Sequence, residues 1–179
     1  MIRRYNPTIR AITSARKPVV AALNGVAAGA GASIALACDY RVASERAKLV
    51  LAFITAGLIP DSGAIWFLAR MIGTARAFHY ATTAEPIDAE TGNGLGLFDE
   101  VATVDGFEQA WRGLAARLAA GPTEAYAIAK ELVYASTERS LHEQLELEVD
   151  AQTRAGRTAD HLEGVRAFLE KRPPDFHGR

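Results

Sequence analysis

The pattern of apolar and polar positions changes character partway along the chain. Before Phe107, short β-branched or alanine-rich apolar runs alternate with amphipathic segments; after it, every apolar stretch has helical spacing. "NPTIRAI" predicts a short amphipathic helix, opened by Asn6 with Pro7 in its first turn, where a missing N–H costs nothing. "KPVVAALN" predicts a buried strand, and "NGVAAGAGAS" before "IALAC" predicts a tight glycine-rich turn leading into a helix. "DYRVAS" and "AKLVLAF" predict two further strands. A helix then starts near Pro60 to Ser62 and ends by Gly73. "TARAFHYATT" continues as helix, "PIDAETGNGLGLF" as a short helix and turn, and "LFDEVATV" as a strand.

Four segments follow with a 3.6-residue period: "FEQAWRGLAARLAA", "PTEAYAIAKELVYAS", "SLHEQLELEVDAQTRA" and "TADHLEGVRAFLEKR". Leu162, Val165, Phe168 and Leu169 form one apolar stripe, and Pro173-Pro174 ends the last helix. The expected architecture is an α/β core over residues 1–120 with a helical C-terminal region over 121–179. No repeat, low-complexity tract or Pro/Ser-rich linker separates them, so the boundary at Gly121-Pro122 is soft. The helical region is expected to pack on the core or on a neighbouring subunit.

Composition changes this picture little. The 179 residues are 49% hydrophobic and 23% charged with a formal net charge of -1, a profile of an ordinary globular protein. Twenty Lys and Arg against 21 acids, scattered along the chain, give no basic patch for nucleic acid. The one cysteine, Cys38, has no intramolecular partner and sits in "ASIALAC", which suggests a small buried hydrophobe in a reducing compartment. The N-terminus lacks the apolar run of a signal peptide and no run reaches membrane-spanning length, so the expectation is a cytoplasmic protein without membrane contact.

Two features could carry chemistry. Backbone N–H groups at the start of a helix are unsatisfied donors backed by the helix dipole, so "AAGAGAS" could hold a phosphate, a carboxylate or a developing oxyanion. A dinucleotide fingerprint would need glycine where Ile34 stands, and a nucleoside-triphosphate loop would need Lys-Ser or Lys-Thr; both fail. Gly25, Gly29 and Gly31 could equally serve tight strand-to-helix packing. Asp61, in "GLIPDSGAIWFLAR", could be the N-cap of the following helix, accepting from the N–H of Gly63 or Ala64. It could instead be a general acid/base whose pKa is raised by an apolar wall of Ile59, Ile65 and Trp66. His79, His142, His161 and His177 show no metal-ligand spacing, and no serine lies in a Gly-x-Ser-x-Gly context.

Four stretches, "KPVVAALNGVAAGAGASIALACDYRVAS", "AKLVLAFITAGLIPDSGAIWFLARMIG", "GLGLFDEV" and "EGVRAFLEKRPPDFHG", occur in the order and spacing of a known family. The chain resembles the crotonase, or enoyl-CoA hydratase/isomerase, superfamily from about Asn6 to its end. The resemblance implies a spiral of ββα turns, a helical C-terminal region of the kind used for trimer or hexamer assembly, and chemistry on an acyl-CoA thioester through its enolate. No cofactor is implied beyond the coenzyme A of the substrate, and no metal. One oxyanion-hole N–H maps onto Ala30, with Gly29 and Gly31 letting the thioester oxygen approach closely.

The two carboxylate positions of the family's hydratases hold Ser33 and Phe53 here, which disfavours simple water addition. Asp61 falls where several isomerases of the superfamily carry a proton-shuttling aspartate. The implied reaction is isomerisation of an aryl- or acyl-CoA, either opening an epoxide to a seven-membered oxepin or moving a double bond between positions 2 and 3. Phe53, Ile59, Trp66 and Phe67 would face an apolar or aromatic acyl chain, and Ala64, where a second glycine is usual, would narrow the pocket. Enoyl-CoA hydration and a non-catalytic CoA-binding or oligomerisation role are the alternatives. The family pattern begins upstream of "NPTIRAI", so the resemblance implies a truncated core. Early strands, the first oxyanion donor and much of the CoA surface would be lacking, with activity correspondingly weak or absent.

Overall fold

The computed structural model describes residues 5–179, which form two compact units, residues 5–13 with 19–113 and residues 14–18 with 114–179. In the first unit, helix α1 (Asn6–Thr13) precedes strand β1 (Val20–Leu23), strand β2 (Val26–Ala28) and helix α2 (Ala30–Ala37). Strands β3 (Tyr40–Ser44) and β4 (Lys48–Val50) follow, then a 3-10 turn over Ala52–Ala56 and helices α3 (Ala64–Ile72) and α4 (Thr74–Thr83). Strand β5 (Ile87–Asp88), helix α5 (Ala89–Gly94) and strand β6 (Glu100–Ala102) complete the unit, and α6 (Phe107–Ala119) leads out of it.

Strands β1 to β4 go alternately to two three-stranded sheets, ordered β1-β3-β6 and β2-β4-β5, and β5 then pairs antiparallel with β4. Val20 pairs with Tyr40 and Leu23 with Ala43 in the parallel β1-β3 pair, while Val26 pairs with Lys48 in the parallel β2-β4 pair. Parallel neighbours need a crossover, and α2 serves both sheets at once, which is the ββα spiral the sequence led us to expect. Val42 and Ala43 on the central strand β3 and Leu36 of α2 are almost fully buried, as residues of a strand covered on both faces should be. The strand β2 was not expected. It is three residues long and lies between glycines in a stretch whose composition reads as turn, so only its pairing with β4 reveals it.

A buried cation fastens this sheet. The Arg41 guanidinium, 7% exposed, donates through Nε to the Leu97 carbonyl at 2.6 Å and through Nη1 to the Cys38 carbonyl at 2.5 Å. Its backbone N–H donates to Asp99 Oδ2 at 2.7 Å, so one residue ties the turn before β3 to the segment that leads into β6.

The second unit is helical: α7 (Thr123–Ser136), α8 (Leu141–Gly156) and α9 (Ala159–Glu170). Its helix starts are set by local polar bonds. Ser140 and Glu143 form a reciprocal capping box on α8, and Thr158 accepts the His161 N–H at 3.1 Å on α9. The chain after Pro173-Pro174 doubles back. The buried Asp160 carboxylate accepts the N–H groups of His177 and Gly178, each at 2.8 Å, and the Asp160 N–H donates to the Arg179 carbonyl at 3.0 Å. Leu162, Val165, Phe168 and Leu169 of the expected stripe are exposed on this unit, between 47% and 82%. Among the described residues, no helix is long and apolar enough to cross a membrane.

Glu163 closes the tail from the other side. Its carboxylate receives Arg172 at 2.6 and 3.1 Å and the Asp175 N–H at 3.0 Å, and the Arg172 and backbone hydrogen bonds hold its pKa down to about 2 from 4.5. A depressed carboxyl pKa stabilises the folded form above the unfolded value and ceases to do so as pH falls through the folded one. The docked tail should therefore keep this contribution at pH 5 and lose it progressively between about 4.5 and about 2. An NMR titration of the Asp175 amide should report that low midpoint, and Glu163→Gln should loosen residues 172–175 at pH 7 while the Asp160 bonds keep 177–179 docked.

Candidate active site

The site is built where β2 gives way to α2. Gly29 has φ 53° and ψ -123°, a conformation closed to residues with a Cβ, and it turns the chain from strand to helix without an intervening loop. Its N–H donates to the Val50 carbonyl on β4 at 3.0 Å, and its carbonyl accepts the Ser33 N–H at 3.1 Å. No side chain caps α2, so the first amides of the helix, beginning with Ala30, stand as donors at its positive end. Ala30 is half-buried and Gly31 exposed. Phe53, on the 3-10 turn, brings its Cζ to 3.9 Å from the place a Cβ on Gly29 would occupy, so an aromatic edge lies beside the glycine turn.

Asp61 is brought to the same turn from the other side of the spiral. The Ser33 hydroxyl, fully buried, donates to the Asp61 carbonyl at 3.1 Å, with the Gly29 carbonyl at 3.3 Å as its alternative acceptor. The Asp61 side chain does not cap α3. The capping position belongs to Gly63, α3 starts only at Ala64, and no side chain accepts from its first turn. The reason lies in the backbone, since Ser62 and Gly63 both take positive φ, 53° and 81°, which delays the helix beyond Pro60 to Ser62. It is the Asp61 backbone carbonyl, not its carboxylate, that accepts the Ala64 N–H at 3.0 Å.

This leaves the carboxylate available. Asp61 Oδ1 and the neighbouring Ser62 Oγ are both shielded from solvent and without a hydrogen-bond partner in the protein. Native structures rarely leave buried polar atoms unpaired, and an ordered water, an ion or a bound molecule ordinarily completes them. The expected wall is arranged differently: Ile59, Ile65 and Trp66 are 74%, 43% and 37% exposed, and the Arg70 guanidinium covers the Trp66 ring at 3.7 Å. Phe67, expected on the acyl side, is buried in α3 with its ring edge-on to Trp66. Among the described residues, no group of three or more His, Cys, Asp or Glu side chains could hold a metal ion.

Sequence reasoning placed Ala30, Gly29, Gly31, Phe53 and Asp61 in the site, and the structure brings these segments together around one turn. It did not find the bond from Ser33, which it treated only as a position lacking a carboxylate. Nor did it find the unpaired Ser62 hydroxyl, for which no signal other than the neighbouring glycine was available.

An uncapped helix start and a residue with a shielded carboxylate oxygen are thus joined by the Ser33 bond on a ββα spiral. Residues 2–179 match the family model described as enoyl-CoA hydratase/isomerase, and the chain belongs to that family. It is 47% identical over 175 residues to a probable enoyl-CoA hydratase of Rhodobacter capsulatus, covering 98% of this chain and 68% of that one. It is also 42% identical over 177 residues to the 1,2-epoxyphenylacetyl-CoA isomerase of Escherichia coli, covering 99% and 68%. The crystal structure of an enoyl-CoA hydratase from Polaromonas superposes with a TM-score of 0.93 at 38% identity, over 98% of this chain and 68% of that one. The chain thus spans about two thirds of the length of each of these relatives.

The turn that presents Asp61 can be tested directly. Gly63 combines a φ of 81° with a position where an added Cβ would lie 2.9 Å from Phe67 Cε2. Gly63→Ala should lower stability by about 1–3 kcal/mol in urea unfolding, through backbone strain and displacement of the Phe67 ring.

Proposed function

We propose that this chain is an acyl-CoA isomerase that moves protons with Asp61 and holds the thioester oxyanion with the Ala30 N–H. The observation that carries the proposal is the shielded, unpaired Asp61 Oδ1, on a residue whose backbone carbonyl accepts the Ser33 hydroxyl in the first turn of the uncapped helix α2. On a 3-enoyl-CoA, the Asp61 carboxylate takes a proton from C2 and the electron pair moves onto the thioester oxygen. Return of that proton to C4 then yields the 2-enoyl-CoA, with no net gain or loss of atoms. The negative charge exists only between these steps, which is where a preorganised amide donor and helix dipole help most.

Similarity to the 1,2-epoxyphenylacetyl-CoA isomerase supports an aromatic epoxide as a second kind of substrate, with Gly29, Gly31, Phe53, Ile59 and Trp66 contributing to its site. No cofactor is required beyond the coenzyme A carried by the substrate, and a cytoplasmic location fits a CoA enzyme. Hydration is the second reading, favoured by the Rhodobacter relative's description. Against it, Ser33 and Phe53 offer no carboxylate to activate water where the resemblance would put one.

Asp61→Asn keeps the shape and removes the exchangeable proton, so 3-enoyl-CoA isomerisation should fall by about two to four decades. Unchanged turnover would exclude Asp61 as the acid/base. With crotonyl-CoA in oxygen-18 water, the parent protein should form little labelled 3-hydroxyacyl-CoA; appreciable label would favour the hydratase.

Assembly into a trimer or hexamer through the helical region belongs to the same proposal. Leu141, Leu145 and Val149 on α8 are 76%, 51% and 65% exposed, and Phe168 on α9 is 82% exposed, more apolar surface than a lone helical unit ordinarily shows to water. Sedimentation equilibrium should give a multiple of the 19.2 kDa chain mass, and Phe168→Glu should shift it toward the monomer.

A further inference from the structure

We infer that Ser33 is a positioning residue that sets the Asp61 carboxylate against the oxyanion donor of Ala30, an inference that rests on the isomerase proposal above. Ser33 is 0% exposed and lies in the first turn of α2, three residues after Ala30. Its one hydroxyl proton has two acceptors, the Gly29 carbonyl of its own helix at 3.3 Å and the Asp61 carbonyl, 28 positions away in sequence, at 3.1 Å. The shorter bond crosses from the segment that carries the anion donor to the segment that carries the acid/base.

Neither partner needs that bond for its own satisfaction. The Asp61 carbonyl already accepts the Ala64 N–H at 3.0 Å, and a serine in a helix can always return its proton to the carbonyl four residues back. Removing the bond therefore orphans no buried group, so its cost to stability is small. What it controls is distance and orientation, because Asp61 lies on a turn whose next two residues are held at positive φ. A turn strained in that way persists only when its surroundings hold it, and the Ser33 hydroxyl ties it to the rigid start of a helix. The consequence is a residue that contributes to turnover through another side chain, without contact to the substrate.

The test pairs Ser33→Ala with Asp61→Asn in the whole chain. Ser33→Ala should lower kcat for 3-enoyl-CoA isomerisation about tenfold, with KM changed by less than about twofold and the urea midpoint nearly unmoved. In the Asp61→Asn background the same change should cost less than about twofold, since there is no proton shuttle left to misplace. Hydrogen exchange gives a readout independent of turnover: the amides of 61–64 should exchange about fivefold faster or more in Ser33→Ala, with those of β3 unchanged. Loss of activity at Asp61→Asn together with a normal Ser33→Ala enzyme would overturn the positioning role alone. So would an equal tenfold loss in both backgrounds, or unchanged exchange at 61–64. Normal turnover at Asp61→Asn would instead remove the acid/base proposal, and exchange would still decide whether Ser33 holds the turn.

Discussion

Most of the first unit depends on the backbone at Gly29. Its N–H is the last bond of the β2-β4 ladder, made to Val50, and its carbonyl is the first acceptor of α2, taken by Ser33. A single residue can end a strand and open a helix only if φ and ψ jump between the two in one step, and the values found, 53° and -123°, exclude any side chain. Inserting even a short loop there would unpair β2 from β4 or move α2 off the crossover that both sheets share. The same absence of a side chain leaves the helix start uncapped, so the constraint that builds the spiral also leaves the first amides of α2 without a side-chain acceptor.

The second unit follows a different logic. Its helices are located by polar bonds of short range: the capping box at Ser140, the cap at Thr158, and the Asp160 carboxylate that receives the returning tail. Bonds of this kind fix where helices begin and where the chain folds back, but they leave apolar faces uncovered, and α8 and α9 show several large apolar side chains to solvent.

How much of this was legible in the sequence can be judged residue by residue. Strand β1 follows from its β-branched apolar run and α2 from the glycine-rich turn before "IALAC", while the late helices follow from apolar spacing long enough to count. Strand β2 does not, since three residues between glycines carry no period and only pairing makes them a strand. Asp61 resembles an N-cap because its side-chain chemistry and place before an apolar run fit one. What excludes capping is the pair of positive φ values at Ser62 and Gly63, a backbone property that composition leaves undetermined for serine. Ser33 was legible only as a missing carboxylate, because its partner lies 28 positions away and a hydroxyl can serve many acceptors.

The cap question also bears on what Asp61 is for. A capping carboxylate contributes by satisfying helix amides, and its replacement by alanine costs about 0.5–2 kcal/mol. Here the backbone carbonyl does that work while the carboxylate oxygen is shielded with no partner, an arrangement that costs stability on its own. A residue kept for folding alone would gain by pairing that oxygen or by becoming apolar. On the proposed isomerisation, the lack of a permanent donor suits the oxygen to taking up and returning a proton, because a hydrogen bond that held its charged form would weaken it as a base. The unpaired atom and the strained turn beneath it are thus one feature: the backbone at Ser62 and Gly63 bends away from helical geometry, and in doing so keeps the carboxylate from closing onto the helix it precedes.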